Sequence, residues 1–349
     1  MNALVEKWPG DSYASRPVEL SVVIPMYNEH QVIEIMHARL TSELVRLRVA
    51  YELVLVDDGS RDGTPRMLAD LAARDLAVTA VFLSRNFGKE AALTAGLEHA
   101  CGAAVIIMDA DLQDPPELIP QMMQAWKAGA EVVCMRRRSR AGESWLKRFS
   151  AHGFYRLLNA ISDVDIPPDT GDFRLLSRKA VDALLQLNER NRYMKGLFAW
   201  IGLPTTVIEY DRMPRVAGAT KWDYLSLFSL AFQGITSFSI APLRLAMATG
   251  LVTALFGVLF TLWVVVKALV LGDPVQGYPS LISMIAILGG VQLLSIGLVG
   301  EYIGKTYYET KRRPVYIVRD AIRRGEAANG LCSKFDWSAA SKDRYAAAE

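Results

Sequence analysis

Cysteine is scarce: Cys101, Cys134 and Cys332 are the only three in 349 residues. They are far apart and odd in number. That matches neither a disulfide framework nor a zinc-ligand spacing, and it suits a reducing compartment. Charge of one sign is also lacking; the net value is +2, so no nucleic-acid partner is expected. The turn after the first expected strand has no G-x-G-x-x-G fingerprint, which excludes ordinary dinucleotide binding. Gly304-Lys305-Thr306 lacks the earlier glycine of a Walker loop. The N-terminal stretch "MNALVEKWPGDSYASRPVE" has no apolar core of a cleaved signal peptide. No internal repeat or low-complexity segment is present.

Apolar sequence, by contrast, is abundant, at 51% of the chain. Leu245 to Val266 is a stretch of 22 residues without a charge, bounded by Arg244 and Lys267, and Pro279 to Gly300 is another of 22. As helices each would be roughly 33 Å long, enough for a hydrocarbon core. Arg212, Arg215, Lys221 and Arg244 precede the pair; Lys305, Lys311, Arg312, Arg313, Arg319, Arg323 and Arg324 follow it. The positive-inside rule then puts both termini in the cytoplasm. Residues 142–162 are amphipathic and read as a helix lying on a membrane surface or on the core, and residues 222–241 read as a second interfacial helix leading into the first apolar stretch. Gly300-x-x-x-Gly304 is a close-packing signal for a helix pair.

Ahead of the apolar pair, strand and helix patterns alternate. Strands are expected at 18–25, 51–57, 78–83, 105–108 and 131–135, and a short one at 314–319 beyond the apolar pair. Helices are expected from Asn28-Glu29 to about Arg48 and over 65–76, 89–101 and 117–128. This predicts an α/β domain with a doubly wound, mostly parallel sheet. The stretch "VIIMDADLQDPPE" runs a buried strand straight into Asp109, Asp111 and Asp114. Carboxylates at the carboxyl end of such a strand sit where open sheets bind ligands, and they suit a hard divalent cation. Asp-x-Asp by itself also occurs as a solvated turn.

Taken in order, "VVIPMYNE", "VLVDDGSRDGT", "SRNFGKEAALTAGL", "MDADLQDPPE" and "TGDFRLLSRKA", followed by two apolar stretches, resemble the family-2 glycosyltransferases of GT-A fold. Within that family the chain is similar to the polyprenyl-phosphate glycosyltransferases: bactoprenol glucosyltransferases, aminoarabinose transferases and, more distantly, dolichol-phosphate mannose synthases. The resemblance covers roughly residues 18–320. It implies an N-terminal tail at 1–17, a GT-A catalytic domain at 18–221, an interfacial helix at 222–242, transmembrane helices at 243–267 and 279–303, and a cytoplasmic segment at 304–349.

The resemblance also implies roles. Pro25, Tyr27, Asn28 and Glu29 would hold the nucleoside, and Asp57 and Asp58 would read base and ribose. Asp109 and Asp111 would bind Mg²⁺ or Mn²⁺ through the diphosphate, with Lys89, Arg215 and Lys221 adding cationic contacts to the nucleotide sugar. Gly218 would give a closing loop its flexibility. Arg136 and Arg148 would grip the phosphate of undecaprenyl phosphate, with Arg137 and Arg138 as rivals to Arg136. Asp172 would be the base or the group that orients the acceptor, fixed by Arg174. The implied reaction is inverting transfer of a hexose, glucose from UDP-glucose, at the cytoplasmic face of a bacterial inner membrane by a multi-pass enzyme, expected as a homo-oligomer. A UDP-aminoarabinose derivative or GDP-mannose as donor fits the same motifs. A non-catalytic scaffold of the same fold would be expected to have lost the carboxylates. A processive synthase would carry Gln-x-x-Arg-Trp, which is missing.

Overall fold

The computed structural model describes residues 17–138, 170–187, 189–190, 192–211, 239, 241–271 and 278–323. Among them eight strands form one sheet: β1 Leu20–Met26, β2 Tyr51–Asp57, β3 Val78–Leu83, β4 Ala104–Ile107, β5 Val132–Arg137, β6 Thr170–Ser177, β7 Thr205–Tyr210 and β8 Val318–Arg323. Their order is β7-β5-β6-β4-β1-β2-β3-β8. The helices are α1 Ile33–Leu47, α2 Thr64–Arg74, α3 Lys89–His99, α4 Ile119–Lys127, α5 Arg178–Gln186, α6 Met194–Trp200, α7 Ala241–Leu271 and α8 Tyr278–Thr310.

The central strands are buried on both faces, which is why they are near-continuous apolar runs. Val22 and Ile24 join one core cluster with Leu40, Leu44, Leu68 and Met122, while Val23 joins the opposite one with Leu93, Leu97, Val181 and Leu197. Helix α3 lies very close to the sheet: a Cβ on Gly96 would sit 2.2 Å from a Val23 methyl. Its small residues therefore fix its height and bring its first residues, Lys89 and Glu90, to the carboxyl ends of the strands.

The sheet is mostly parallel, as expected, with two strands reversed. Strands β4, β1, β2 and β3 are mutually parallel, as are β5 and β7, but β6 runs antiparallel to both β4 and β5, and β8 antiparallel to β3. Residues 170–174 read as loop in sequence because Asp172 and Arg174 break the apolar run. Arg174 is nevertheless buried, its guanidinium 3.7 Å over the Phe198 ring. Strand β7 is missed because its alternating residues are largely exposed. Helix α1 opens at Ile33 rather than at Asn28-Glu29. Asn28 has φ +57°, and the amides of Asn28 and Glu29 donate to Ser60 Oγ and Thr64 Oγ1, both at 2.9 Å, so this segment is a separately held turn. The strand expected at 314–319 pairs over Val318–Arg323 instead, because Tyr316 turns into the core and donates to Glu98 Oε2 at 2.5 Å. Cys101 is disulfide-bonded, its partner lying outside the described residues, which corrects the expectation of no disulfide; Cys134 is a free, buried thiol. The Arg323 guanidinium, at the end of β8, lies 3.4 Å from the Cys101 sulfur.

Among the described residues one stretch, Ala241–Phe260 at the start of α7, is long and apolar enough to cross a membrane. Helix α8 follows it for 33 residues and packs against it. The amphipathic stretch 142–162, nearly all of 222–241, the tail 1–16 and the end 324–349 lie outside the described residues, as do Arg148, Arg215, Gly218 and Lys221.

Candidate active site

The carboxyl ends of β1, β2 and β4, the start of α3 and the start of β6 converge. On the β1–β2 side the turns are tied together by backbone amides. Asn28 Oδ1 accepts from Arg61 N at 2.9 Å, Asp57 Oδ1 from Ser60 N at 3.1 Å, and His30 Nδ1 lies 2.7 Å from Asp62 Oδ2. Asp58 is buried and accepts from the amides of Phe87 at 2.7 Å and Gly88 at 2.9 Å, one to each oxygen. Burial raises the carboxyl of Asp58, and these two bonds pull it back. Gly59, at φ +67°, explains the close approach: a Cβ there would be 2.4 Å from the Arg85 carbonyl carbon. Asp58 therefore anchors the 85–88 loop that leads into α3. A carboxylate has further lone pairs, so this does not consume its capacity to accept from a nucleoside. Pro25 lies near the end of β1, paired with Val56, Tyr27 is exposed, and the Glu29 amide is held by Thr64.

The β4–β6 side is built on charge. Lys89 Nζ lies 2.6 Å from Asp109 Oδ1 and 2.6 Å from Asp172 Oδ2, bridging the carboxylate after β4 to that at the start of β6. Burial disfavours an ionised Asp172, but the ammoniums of Lys89 and Lys195 and the guanidinium of Arg174 outweigh it and hold its carboxyl far below the ordinary range. The same pair of carboxylates raises Lys89 against the opposing effect of burial. Arg174 does not bind the Asp172 carboxylate directly. Its Nη2 donates to the Gly171 carbonyl at 2.7 Å and so fixes the backbone that carries Asp172. Asp111 Oδ1 accepts from Gln113 N at 3.1 Å. Asp114, the third carboxylate of the acidic stretch, is buried and accepts from Tyr210 Oη at 2.6 Å, a tie between this turn and β7.

Sequence reasoning missed Glu90. Its Oε2 is buried without a partner, as are Asp172 Oδ1 and Arg174 Nε. Burial, reinforced by the charge of Asp172, pushes its carboxyl up to about 7. The only sequence hint is an acid beside a lysine at a helix start. The three arginines of β5 and its end also separate. Arg136 pairs with Glu209 on the exposed neighbouring strand, and Arg138 lies 3.9 Å from Glu209 and 3.6 Å from Asp211. Arg137 is the one next to the Asp172 backbone: its Nη2 would lie 3.5 Å from a Cβ on Gly171, and its Nε is buried and unpartnered.

Among the described residues no group of three or more histidine, cysteine or carboxylate side chains is placed to hold a metal by itself. Asp109 and Asp111, one residue apart on a single turn, instead fit a hard cation that takes its other ligands from substrate phosphates and water.

Two sequence profiles match: Glycosyl transferase family 2 over residues 21–185 and the GtrB C-terminal hairpin over residues 241–306. An uncharacterized glycosyltransferase of Synechocystis sp. is 48% identical over 303 residues, 87% of this chain and 95% of that protein. The bactoprenol glucosyl transferase of Shigella phage SfV is 46% identical over 305 residues, 87% of this chain and 99% of its own. Among solved structures, the glucosyl-3-phosphoglycerate synthase of Mycobacterium tuberculosis in complex with Mn²⁺ and UDP-glucose is 20% identical, with a TM-score of 0.41 over 66% of this chain and 82% of that one. With relatives this similar along almost their whole length, and with the family's motifs gathered at one end of a mixed α/β sheet, the chain belongs to glycosyltransferase family 2.

Proposed function

We propose that the protein moves glucose from UDP-glucose to undecaprenyl phosphate, with inversion, at the cytoplasmic face of a bacterial inner membrane. Near-full-length similarity to bactoprenol glucosyl transferases supports the substrate pair. The observation that carries the reading is the Lys89 bridge. One ammonium joins Asp109, on the turn suited to the donor diphosphate, to Asp172, on the strand suited to the acceptor. Donor and acceptor would thus meet at a single charged point.

In this reading Asp109 and Asp111 hold Mg²⁺ or Mn²⁺, and the ion supplies Lewis-acid stabilisation of the leaving diphosphate when bound. Lys89 adds positive charge beside the bond that breaks. Pro25, Tyr27, Asn28, Glu29, Asp57 and Asp58 frame the nucleoside, and Arg215 and Lys221 are assigned cationic contacts to the nucleotide sugar. An acceptor phosphate oxygen attacks the anomeric carbon in line, and the nucleoside diphosphate leaves from the opposite side. A phosphate monoester with a second pKa near 6 is mostly dianionic at neutral pH. A strong base is therefore unnecessary. Asp172, held ionised by Lys89, is a weak one and serves to orient the acceptor. Arg137, whose buried Nε has no partner, is favoured over Arg136 for gripping the acceptor phosphate, and Arg148 is assigned to the same phosphate.

The domain limits given above are part of this proposal. So are two membrane spans within α7 and α8, cytoplasmic termini and a homo-oligomer; the hairpin profile over residues 241–306 supports the pair of spans. The test is transfer from a panel of radiolabelled nucleotide sugars to undecaprenyl phosphate by membranes carrying the protein. UDP-glucose should be the productive donor, EDTA should abolish transfer, and Mg²⁺ or Mn²⁺ should restore it. A different productive sugar would reassign the donor, and full activity in a chelator would remove the metal.

A further inference from the structure

Glu90 has no part in the reaction as described, yet it lies against its centre. It directly follows Lys89 in the first turn of α3. Its backbone carbonyl accepts from Thr94 Oγ1 at 2.8 Å, and Thr94 Oγ1 in turn accepts from Arg192 Nη1 at 2.9 Å. The charged groups whose fields reach its carboxyl are Lys89 on the same helix, Asp172 and Arg174 on β6, Lys195 on α6, and Arg192 just before α6. Four are cations, but none donates to Glu90 Oε2, and Asp172 Oδ1 is equally unpartnered. Two buried carboxylate oxygens without donors, close enough to feel each other's charge, form an arrangement that a single proton relieves.

The environments of the two acids divide the labour. Asp172 has Lys89 at 2.6 Å and stays ionised. Glu90 has burial and the negative charge of Asp172 against it, and its proton is held to about 7. Paired titratable groups driven apart in this way mark distinct acid–base roles. An acceptor phosphate arriving beside Asp172 brings up to two more negative charges. An ionised Glu90 opposes that arrival and a neutral Glu90 does not.

We propose that Glu90 is a positioning residue that takes up a proton when the acceptor phosphate binds, so that the dianion enters a pocket holding one carboxylate charge rather than two. This rests on the functional reading above, in which the acceptor lies at Asp172. The proton comes from solvent and returns to it on product release; no bond to substrate is made or broken by Glu90.

Calorimetric titration of the full-length protein with a short-chain polyprenyl phosphate at pH 7.5, in two buffers of different ionisation enthalpy, counts the protons exchanged. The wild type should take up a substantial fraction of a proton, and Glu90→Gln should take up none. Because the acceptor itself loses protons next to cations, its own titration has the opposite sign. The acceptor KM gives a second readout. For a group near 7 that must be protonated on binding, the wild-type KM should rise about tenfold between pH 6 and pH 8. Glu90→Gln should remove that rise and bind the acceptor more tightly than the wild type at pH 8, a gain that a merely structural role does not give. Equal proton uptake in both proteins, or none in the wild type despite binding, overturns the inference alone. Absence of acceptor binding in the wild type overturns the functional reading and the inference with it.

Discussion

The two halves of the site are held together in opposite ways. On the β1–β2 side most described polar groups have a partner within the chain: Asn28 with Ser60 and Arg61, Glu29 with Thr64, Asp58 with Phe87 and Gly88. On the β4–β6 side Glu90 Oε2, Gln113 Oε1, Arg137 Nε, Asp172 Oδ1 and Arg174 Nε are all buried without one. The first half is a finished frame that a ligand can lean on. The second is electrostatically incomplete, which is what the proposed reaction would require of a region receiving phosphates and a developing charge. The contrast predicts that substitutions in the frame show first in stability and substitutions in the charged half first in turnover.

The largest effect should come from Lys89→Ala. It leaves Asp109 and Asp172 ionised and facing one another with their shared ammonium gone. Transfer should fall by about 10²–10³-fold or more, the size seen when one preorganised charge stabiliser is removed. Activity within threefold of wild type would break the idea that the bridge is the meeting point. Asp172→Asn keeps the shape and loses the charge, so kcat should fall by about 10–100-fold with donor affinity unchanged. Because Asp172 is held far below the ordinary carboxylate range, the defect should be of equal size from pH 6 to pH 8. A defect that shrinks with rising pH would instead make Asp172 a proton acceptor.

Stability separates the halves more directly. Asp58→Ala strands two part-buried amides at a cost of about 1.5–3 kcal/mol, and Tm should drop by roughly 5 °C. Glu90→Gln should do the reverse at high pH. The Glu90 carboxyl titrates at about 7 in the folded protein, against roughly 4.3 when unfolded. The native state therefore binds more protons across that window, and wild-type stability falls as pH rises through it. Glu90→Gln should match wild type at pH 4 and exceed it at pH 8. Equal Tm values at both pH values would show that the carboxyl is not strained.

The frame was far more legible in the sequence than the charged half. Apolar runs such as "LVLVD" and "VTAVFL" are buried on both faces, so their burial alone announces them. The turns Asp57-Asp58-Gly59 and Asp109-Ala110-Asp111 follow at their ends. Strand β6 was hidden because its charged residues are buried by tertiary partners, Arg174 under Phe198 and Asp172 beside Lys89, and no local pattern reports that. Asp114 closes the acidic stretch in sequence and is tied to Tyr210, a residue 96 positions away in a strand that its exposure concealed. Glu90 was invisible for the same reason: its importance lies in what surrounds it, and those groups come from three separate elements.

The smallest and sharpest comparison is between neighbouring arginines on β5. Arg136 is spent on Glu209 at an exposed edge, where an ion pair is worth little and a free guanidinium is easily re-hydrated. Arg137 has a buried Nε with no acceptor and approaches Gly171, one residue from Asp172. If the acceptor phosphate supplies the missing partner, Arg137→Ala should raise the acceptor KM by about 10-fold or more, the worth of a charge-assisted hydrogen bond. Arg136→Ala should change it by less than about threefold, the scale of an exposed pair. Glu209→Gln releases Arg136 without touching Arg137, so it should leave the acceptor KM within the same range as Arg136→Ala. Donor affinity measured by calorimetry should be unchanged in all three. The opposite ranking, a large loss in Arg136→Ala and a small one in Arg137→Ala, would mean that the Arg136–Glu209 pair opens to receive the lipid. Glu209→Gln would then improve the acceptor KM instead of leaving it still.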